Sequence, residues 1–116
     1  MIAVIFEVIP HADKRQNYLD MAAEMRPLVE QIDGFISVEQ FQSLTNPEKL
    51  LSLSFFRDED ALSEWRSLTQ HRNAQKAGRT SYFNDYRLRV TNVLRDYGME
   101  ERTEAPADSR ALHDQA

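Results

Sequence analysis

The first apolar run sets the strongest constraint on what this chain can fold into. Residues 2–9, IAVIFEVI, are apolar at every position except Glu7, and Pro10 closes the run. Such a β-branched and aromatic stretch reads as a strand. Ile2, Val4, Phe6 and Val8 point to one side of it, and Ala3, Ile5, Glu7 and Ile9 to the other. A strand with two apolar faces has to be covered on both sides.

The rest of the chain supplies the cover. Residues 13–32 read as a helix with Asp13 as N-cap. Its inner stripe is Tyr18, Ala22, Met25, Val29 and Ile32, widened by Leu19 and Leu28. Pro27 is expected to kink or split it, and Gly34 to end it in the left-handed position. Residues 35–44 and 48–56 flank Thr45-Asn46-Pro47 and read as an antiparallel hairpin. Ile36 and Val38, then Leu51, Leu53 and Phe55, make an aliphatic face expected to meet the helices. The opposite face carries Ser37, Glu39 and Phe41, then Ser52, Ser54 and Phe56. Asp58 caps a second helix with Glu59 and Asp60 in its first turn. Leu62, Trp65 and Leu68 or Thr69 form its inner stripe. Periodicity fades over 67–70, and a further helical piece runs from about 70 to 76, ended by Gly78. Residues 82–96 read as a last long strand, with Tyr86, Leu88 and Val90 towards the helices and Arg87 and Arg89 away from them.

The order is β-α-β-β-α-β, the ferredoxin-like pattern of the α+β class. It implies a four-stranded antiparallel sheet with both helices on one face. The bare second face, with Phe41 and Phe56 beside Val8 or Ile9, is too apolar for a monomer. Pairing two such faces predicts a homodimer that encloses a partly polar space containing Ser52, Ser54, Arg87 and Arg89. Residues 1–97 make one domain. Residues 98–116 form a polar C-terminal tail that can hold a short helix and whose composition favours mobility.

Bulk properties exclude several function classes. The 116 residues carry a net charge of −5, which argues against nucleic acid and anionic membranes as partners. No cysteine is present, so disulfides and thiolate metal sites are excluded, in keeping with a cytoplasmic protein. The N-terminal apolar run has no basic region before it and does not read as a signal peptide. No stretch approaches the roughly twenty apolar residues of a membrane span.

Candidate chemistry rests on Trp65 and His71. Six residues rotate by about 240° along a straight helix, so the two side chains can converge only if the helix breaks near 67–70. Histidine suits proton transfer or metal binding near neutral pH. Arg72, Arg79, Arg87 and Arg89 are candidates to bind an acidic group such as a carboxylate. His11 and His113 lie far from His71, and no metal-binding histidine pair, phosphate loop or nucleophile elbow is present.

The run LLSLSFFRDEDALSEWRSLTQHRNAQKAGR, the strand YFNDYRLRV and the segment IDGFISVEQFQSL resemble the antibiotic biosynthesis monooxygenase domain family over about residues 2–97. That resemblance implies a dimeric α+β barrel. It also implies a monooxygenase that uses dioxygen on heme or on an aromatic, quinol-like molecule. In the heme-degrading branch a first-strand asparagine, a helix-two tryptophan and an iron-ligating histidine form the site. Trp65 matches the tryptophan, His71 the histidine and heme ligand, and Glu7 stands at the asparagine position. The resemblance places the substrate pocket between the second helix and the sheet, with Phe55, Leu62 and Arg79 as its candidates. Heme would bring its own redox chemistry. Without it, His71 or Glu7 would serve as general base to an electron-rich substrate. The alternatives are a non-catalytic dimer that binds a small molecule or heme on the same fold, and a structural or regulatory dimer.

Overall fold

The computed structural model describes residues 1–114, with the side chain of Thr69 outside the described residues. Four strands, β1 (Ile2–Pro10), β2 (Phe35–Gln42), β3 (Leu50–Phe56) and β4 (Phe83–Asn92), form one antiparallel sheet in the order β2-β3-β1-β4. Helices α1 (Arg15–Val29), α2 (Glu59–Ser67) and α3 (Thr69–Ala77) cover one face. This is the ferredoxin-like α+β fold that the element order implies. Among the described residues no helix is long and apolar enough to cross a membrane.

Central position explains the composition of β1, which pairs with β3 on one side and β4 on the other. Ile2 and Val4 join Val29, Phe56, Ala61, Leu62 and Trp65 in one buried cluster; Val8 joins Tyr18 and Leu50 in a second. The pairing register sets the two faces. Val4 lies beside Ser54 and Phe6 beside Ser52, while Ala3 lies beside Phe55 and Glu7 beside Leu51. Ser52, Ser54 and Phe56 therefore face the helices, and Leu51, Leu53 and Phe55 the open side. This reverses the expected facing of β3. Strand alternation forces the exchange as a block, because residues of one parity share one face. Of the polar space expected on the open face, only Arg87 and Arg89 remain there, beside Glu7 and Ile5.

Local differences have local causes. A bulge between Phe35 and Ser37 turns Ile36 outwards, to 49% exposure, and lets Phe35 pack edge-on against Phe56. Asp13 caps nothing: it sits in a short 3₁₀ turn, Ala12–Lys14, ahead of α1. Pro27 does not split α1, because it falls in the last turn and the helix ends at Val29. Gly34 has φ of 91° as expected, and its carbonyl accepts the Arg57 N–H at 2.7 Å. Asp58 caps α2 by accepting the Ala61 N–H at 2.9 Å. That bond, with Arg57 beside it, holds the Asp58 carboxyl below its ordinary range.

Beyond β4 the polar segment carries a fourth helix, α4 (Ala107–His113). Arg102 ties it together, with its guanidinium on Asp114, the Ser109 hydroxyl and the Gly98 carbonyl. Composition alone does not reveal that local network.

Gly34 offers a test of the turn between α1 and β2. A Cβ there would lie 2.8 Å from the Ala61 Cβ, in a left-handed backbone. Gly34→Ala is expected to lower the free energy of urea unfolding by about 1–2 kcal/mol or more, and an unchanged midpoint would contradict this reading of the turn.

Candidate functional site

The helix-facing positions of β3 read Leu50, Ser52, Ser54, Phe56. The two ends are buried, Leu50 at 4% and Phe56 at 1% exposure, one in each core cluster. Between them the serines are too small to reach the helices, and Ala22 on α1 is equally short. The two clusters therefore fail to merge. A cavity of about 670 Å³ lies between them, a size suited to a small organic ligand.

Its walls are mostly apolar. Val4 and Phe6 of β1 form the floor with the two serines, Leu88 and Val90 of β4 extend it, and Met25 and Leu62 cover it from the helices. Val90 and Leu88, each 46% exposed, are the apolar surface that the helices leave uncovered. Polar groups enter at several points: Tyr18, Gln40, the serine hydroxyls and His71, with Arg26, Glu39, Arg66, Gln75 and Arg79 also in the lining. Burial raises the Tyr18 phenol above its ordinary pKa, partly offset by a hydrogen bond with Gln40, so the hydroxyl stays protonated.

Trp65 and His71 meet in this cavity. α2 ends at Ser67, Leu68 is extended with φ −62° and ψ 134°, and α3 restarts at Thr69. The Ser67 hydroxyl donates to the Ser63 carbonyl at 2.8 Å, competing with the main chain at the helix end. The break swings His71 onto Trp65, with ring centroids 4.4 Å apart and planes at 34°. This is the convergence that the fading periodicity over 67–70 anticipates. Among the described residues, His71 Nδ1 is the buried side-chain polar atom without a hydrogen-bond partner. Desolvation, and secondly the Arg66 charge, lower the His71 pKa from 6.5 to about 4, against a hydrogen bond with the Arg66 backbone. The imidazole is neutral at pH 7.

The other expected site residues separate. Leu62 and Arg79 line the cavity, with the Arg79 guanidinium 5.9 Å from the Tyr86 ring centre. Phe55 does not line it, because its register with Ala3 turns it to the open face. Glu7 is also on that face, in ion pairs with Lys49 at 3.2 Å and Arg89 at 2.9 Å. Those partners, Lys49 first, hold its carboxyl below the ordinary range, so it is a poor proton acceptor and stands away from Trp65 and His71. Sequence reasoning missed Phe6, Tyr18, Gln40 and the inward serines. The available signal was the large-small-small-large pattern on one face of β3.

A heme iron needs a histidine nitrogen open to the cavity. Nδ1 is covered by protein, the ring lies against Trp65, and the imidazole is also engaged with the Arg66 backbone. With Glu7 across the sheet, the residues present do not fit a heme bound through His71.

Comparisons with known proteins agree with the fold. The family model described as antibiotic biosynthesis monooxygenase matches residues 1–77. The chain is 45% identical over 93 residues to a jasmonate monooxygenase of Pyricularia oryzae, covering 80% of this chain and 43% of that protein. It thus spans less than half the length of that relative. It is 29% identical over 101 residues to the Bacillus subtilis protein YqjZ, covering 87% and 86% of the two chains. The structure of Rv0793 from Mycobacterium tuberculosis superposes with a TM-score of 0.75 at 21% identity, over 84% of this chain and 98% of that one.

The His71 environment predicts a titration. Nuclear magnetic resonance of the imidazole should give a midpoint near 4 in place of 6.5. A depressed histidine pKa means that the unfolded chain binds more protons between these values. Stability is then complete above about pH 6.5 and falls as pH drops towards 4. A midpoint at 6.5 would contradict the buried, neutral assignment.

Proposed function

The chain belongs to the antibiotic biosynthesis monooxygenase family, and we propose that it is a monooxygenase whose substrate occupies the cavity between helices and sheet. The observation that carries this reading is the unpartnered Nδ1 of a neutral His71, packed at a tilt against Trp65 at the wall of a mostly apolar cavity. Perturbed titratable groups in such a setting mark functional sites.

The chemistry uses the substrate's own electrons. An activated CH₂ group reacts with dioxygen to give a carbonyl and water, one oxygen atom entering the substrate and the other leaving as water. The apolar walls hold the carbon skeleton and exclude bulk water. Tyr18, protonated, donates a hydrogen bond that orients a substrate oxygen, and Ser52 and Ser54 add further polar contacts. Nδ1 of His71 is covered in the resting structure; a turn of the His71 ring opens it to the cavity, where it accepts the proton that the substrate loses. Its basicity is low in the empty cavity, and negative charge developing on the substrate raises it at the moment of transfer. Jasmonate, named in the Pyricularia relative, is a small amphiphile with a carboxylate and a ketone that activates the CH₂ group beside it, and falls within this class.

The protein acts as a homodimer through the open sheet face. Ile5, Leu51, Leu53 and Phe55 lie there, with Phe41 at 42% exposure. Charged Glu7, Lys49 and Arg89 accompany them. An apolar sheet face of this kind is covered most simply by a second copy of itself. Leu53→Asp is expected to give a monomer by light scattering at micromolar concentration, against a dimer for the natural chain; a natural monomer would contradict the pairing.

Oxygen uptake with a panel of quinols and jasmonate tests the activity. The natural protein should consume one dioxygen per substrate, and His71→Ala should lower the rate by about 10²-fold or more. Ser54→Leu should narrow the cavity at its floor, leave the circular dichroism unchanged and weaken ligand binding and uptake together. Saturable binding without any oxygen uptake would favour the binding-protein alternative.

A further inference from the structure

We infer that the substrate is an amphiphile whose carboxylate head seats between Arg66 and Arg72, in a polar notch beside the apolar cavity. The inference rests on the reading of that cavity as the substrate site and names the chemical class that the site selects. The break at Leu68 makes two hollows. On its inner side His71 folds onto Trp65. On its outer side lies a hollow of about 230 Å³ lined by Ser63, Arg66, Ser67, Arg72 and Gln75. Arg66 and Gln75 line the main cavity too, so the two spaces adjoin through shared side chains.

What marks the notch is that two arginines without an ion pair among the described residues share one small hollow. The chain carries 19 acidic residues against 14 Lys and Arg. The ion pairs of the described residues occupy Arg26, Lys49, Arg57, Arg89, Arg102 and Arg110. Among the described residues no carboxylate pairs with Arg66 or Arg72. Two guanidinium groups in one small hollow repel each other unless an anion lies between them, and their planar forks match a carboxylate in geometry. The neighbouring cavity is mostly apolar, with Arg79 at its edge as a second cation, so a ligand that fills both spaces has a largely apolar body and one anionic end. Arg66 also bears on chemistry, since its charge helps to hold His71 neutral. An anion seated at Arg66 screens that charge, so arrival of the correct substrate makes His71 a better proton acceptor.

Calorimetric titration of the full chain with jasmonic acid and with its methyl ester tests the notch. The acid should bind about tenfold more tightly than the ester or better. The exposed pair can be replaced without disturbing the core, and Arg66→Gln with Arg72→Gln should bring acid and ester within about twofold of each other. The ester's affinity should change far less than the acid's, since Arg66 lines the cavity as well as the notch. Equal affinities in the natural chain, failure of the acid to bind, or an acid preference that survives the double substitution would overturn the inference. Inorganic phosphate binding as tightly as the acid would also overturn it, by placing a free oxyanion in the notch. Oxygen uptake separates the two readings. Turnover of the ester without any acid preference removes the notch and leaves the monooxygenase. Acid selectivity without turnover does the reverse.

Discussion

The pairing phase between β1 and β3 is the constraint on which the rest of the molecule depends. It sets Val4 beside Ser54 and Phe6 beside Ser52, so two small polar residues enter a layer where large apolar ones would close the core. Leu50 and Phe56 still seal the ends. The outcome is a domain with two core clusters and a gap between them. A slip of one residue would send the serines outwards, bring Leu51, Leu53 and Phe55 in, and leave no cavity. The same phase places Glu7 and Phe55 on the far side of the sheet.

The second determinant is the helix break at Leu68. A continuous helix would hold Trp65 and His71 on different faces. The extended Leu68 brings them to 4.4 Å, buries the imidazole and leaves its Nδ1 without a partner. An unsatisfied buried nitrogen is a net loss to folding. It persists because Trp65, itself part of the larger core cluster, fixes the ring in place. The stored cost lies beside the apolar cavity.

Much of the fold was legible in the sequence, for identifiable reasons. The two-faced apolar run of residues 2–9 required a covered central strand, and helical periodicity located α1 and α2. Fading periodicity after Trp65 revealed the break and hence the meeting with His71. The facing of β3 was not legible. Leu51, Leu53 and Phe55 look like a core stripe, while Ser52, Ser54 and Phe56 look like a surface, because a core that keeps a cavity has the composition of a surface. The bulge at Ile36 hid the phase of β2 in the same way, by shifting parity within the strand. Glu7 drew attention as a lone acid in an apolar run, yet its partners Lys49 and Arg89 come from distant parts of the chain.

The sheet thus divides two tasks. One face, under the helices, holds the cavity, and the other is the apolar surface that the proposed homodimer would cover. The central claim is that a small apolar molecule binds beside Trp65, which is the chain's single tryptophan. Its fluorescence therefore reports on the cavity alone. Titration with a ligand whose binding calorimetry confirms should shift or quench Trp65 emission saturably, with one site per chain and the calorimetric affinity. Binding that leaves the emission unchanged would contradict the claim and place the ligand elsewhere on the protein.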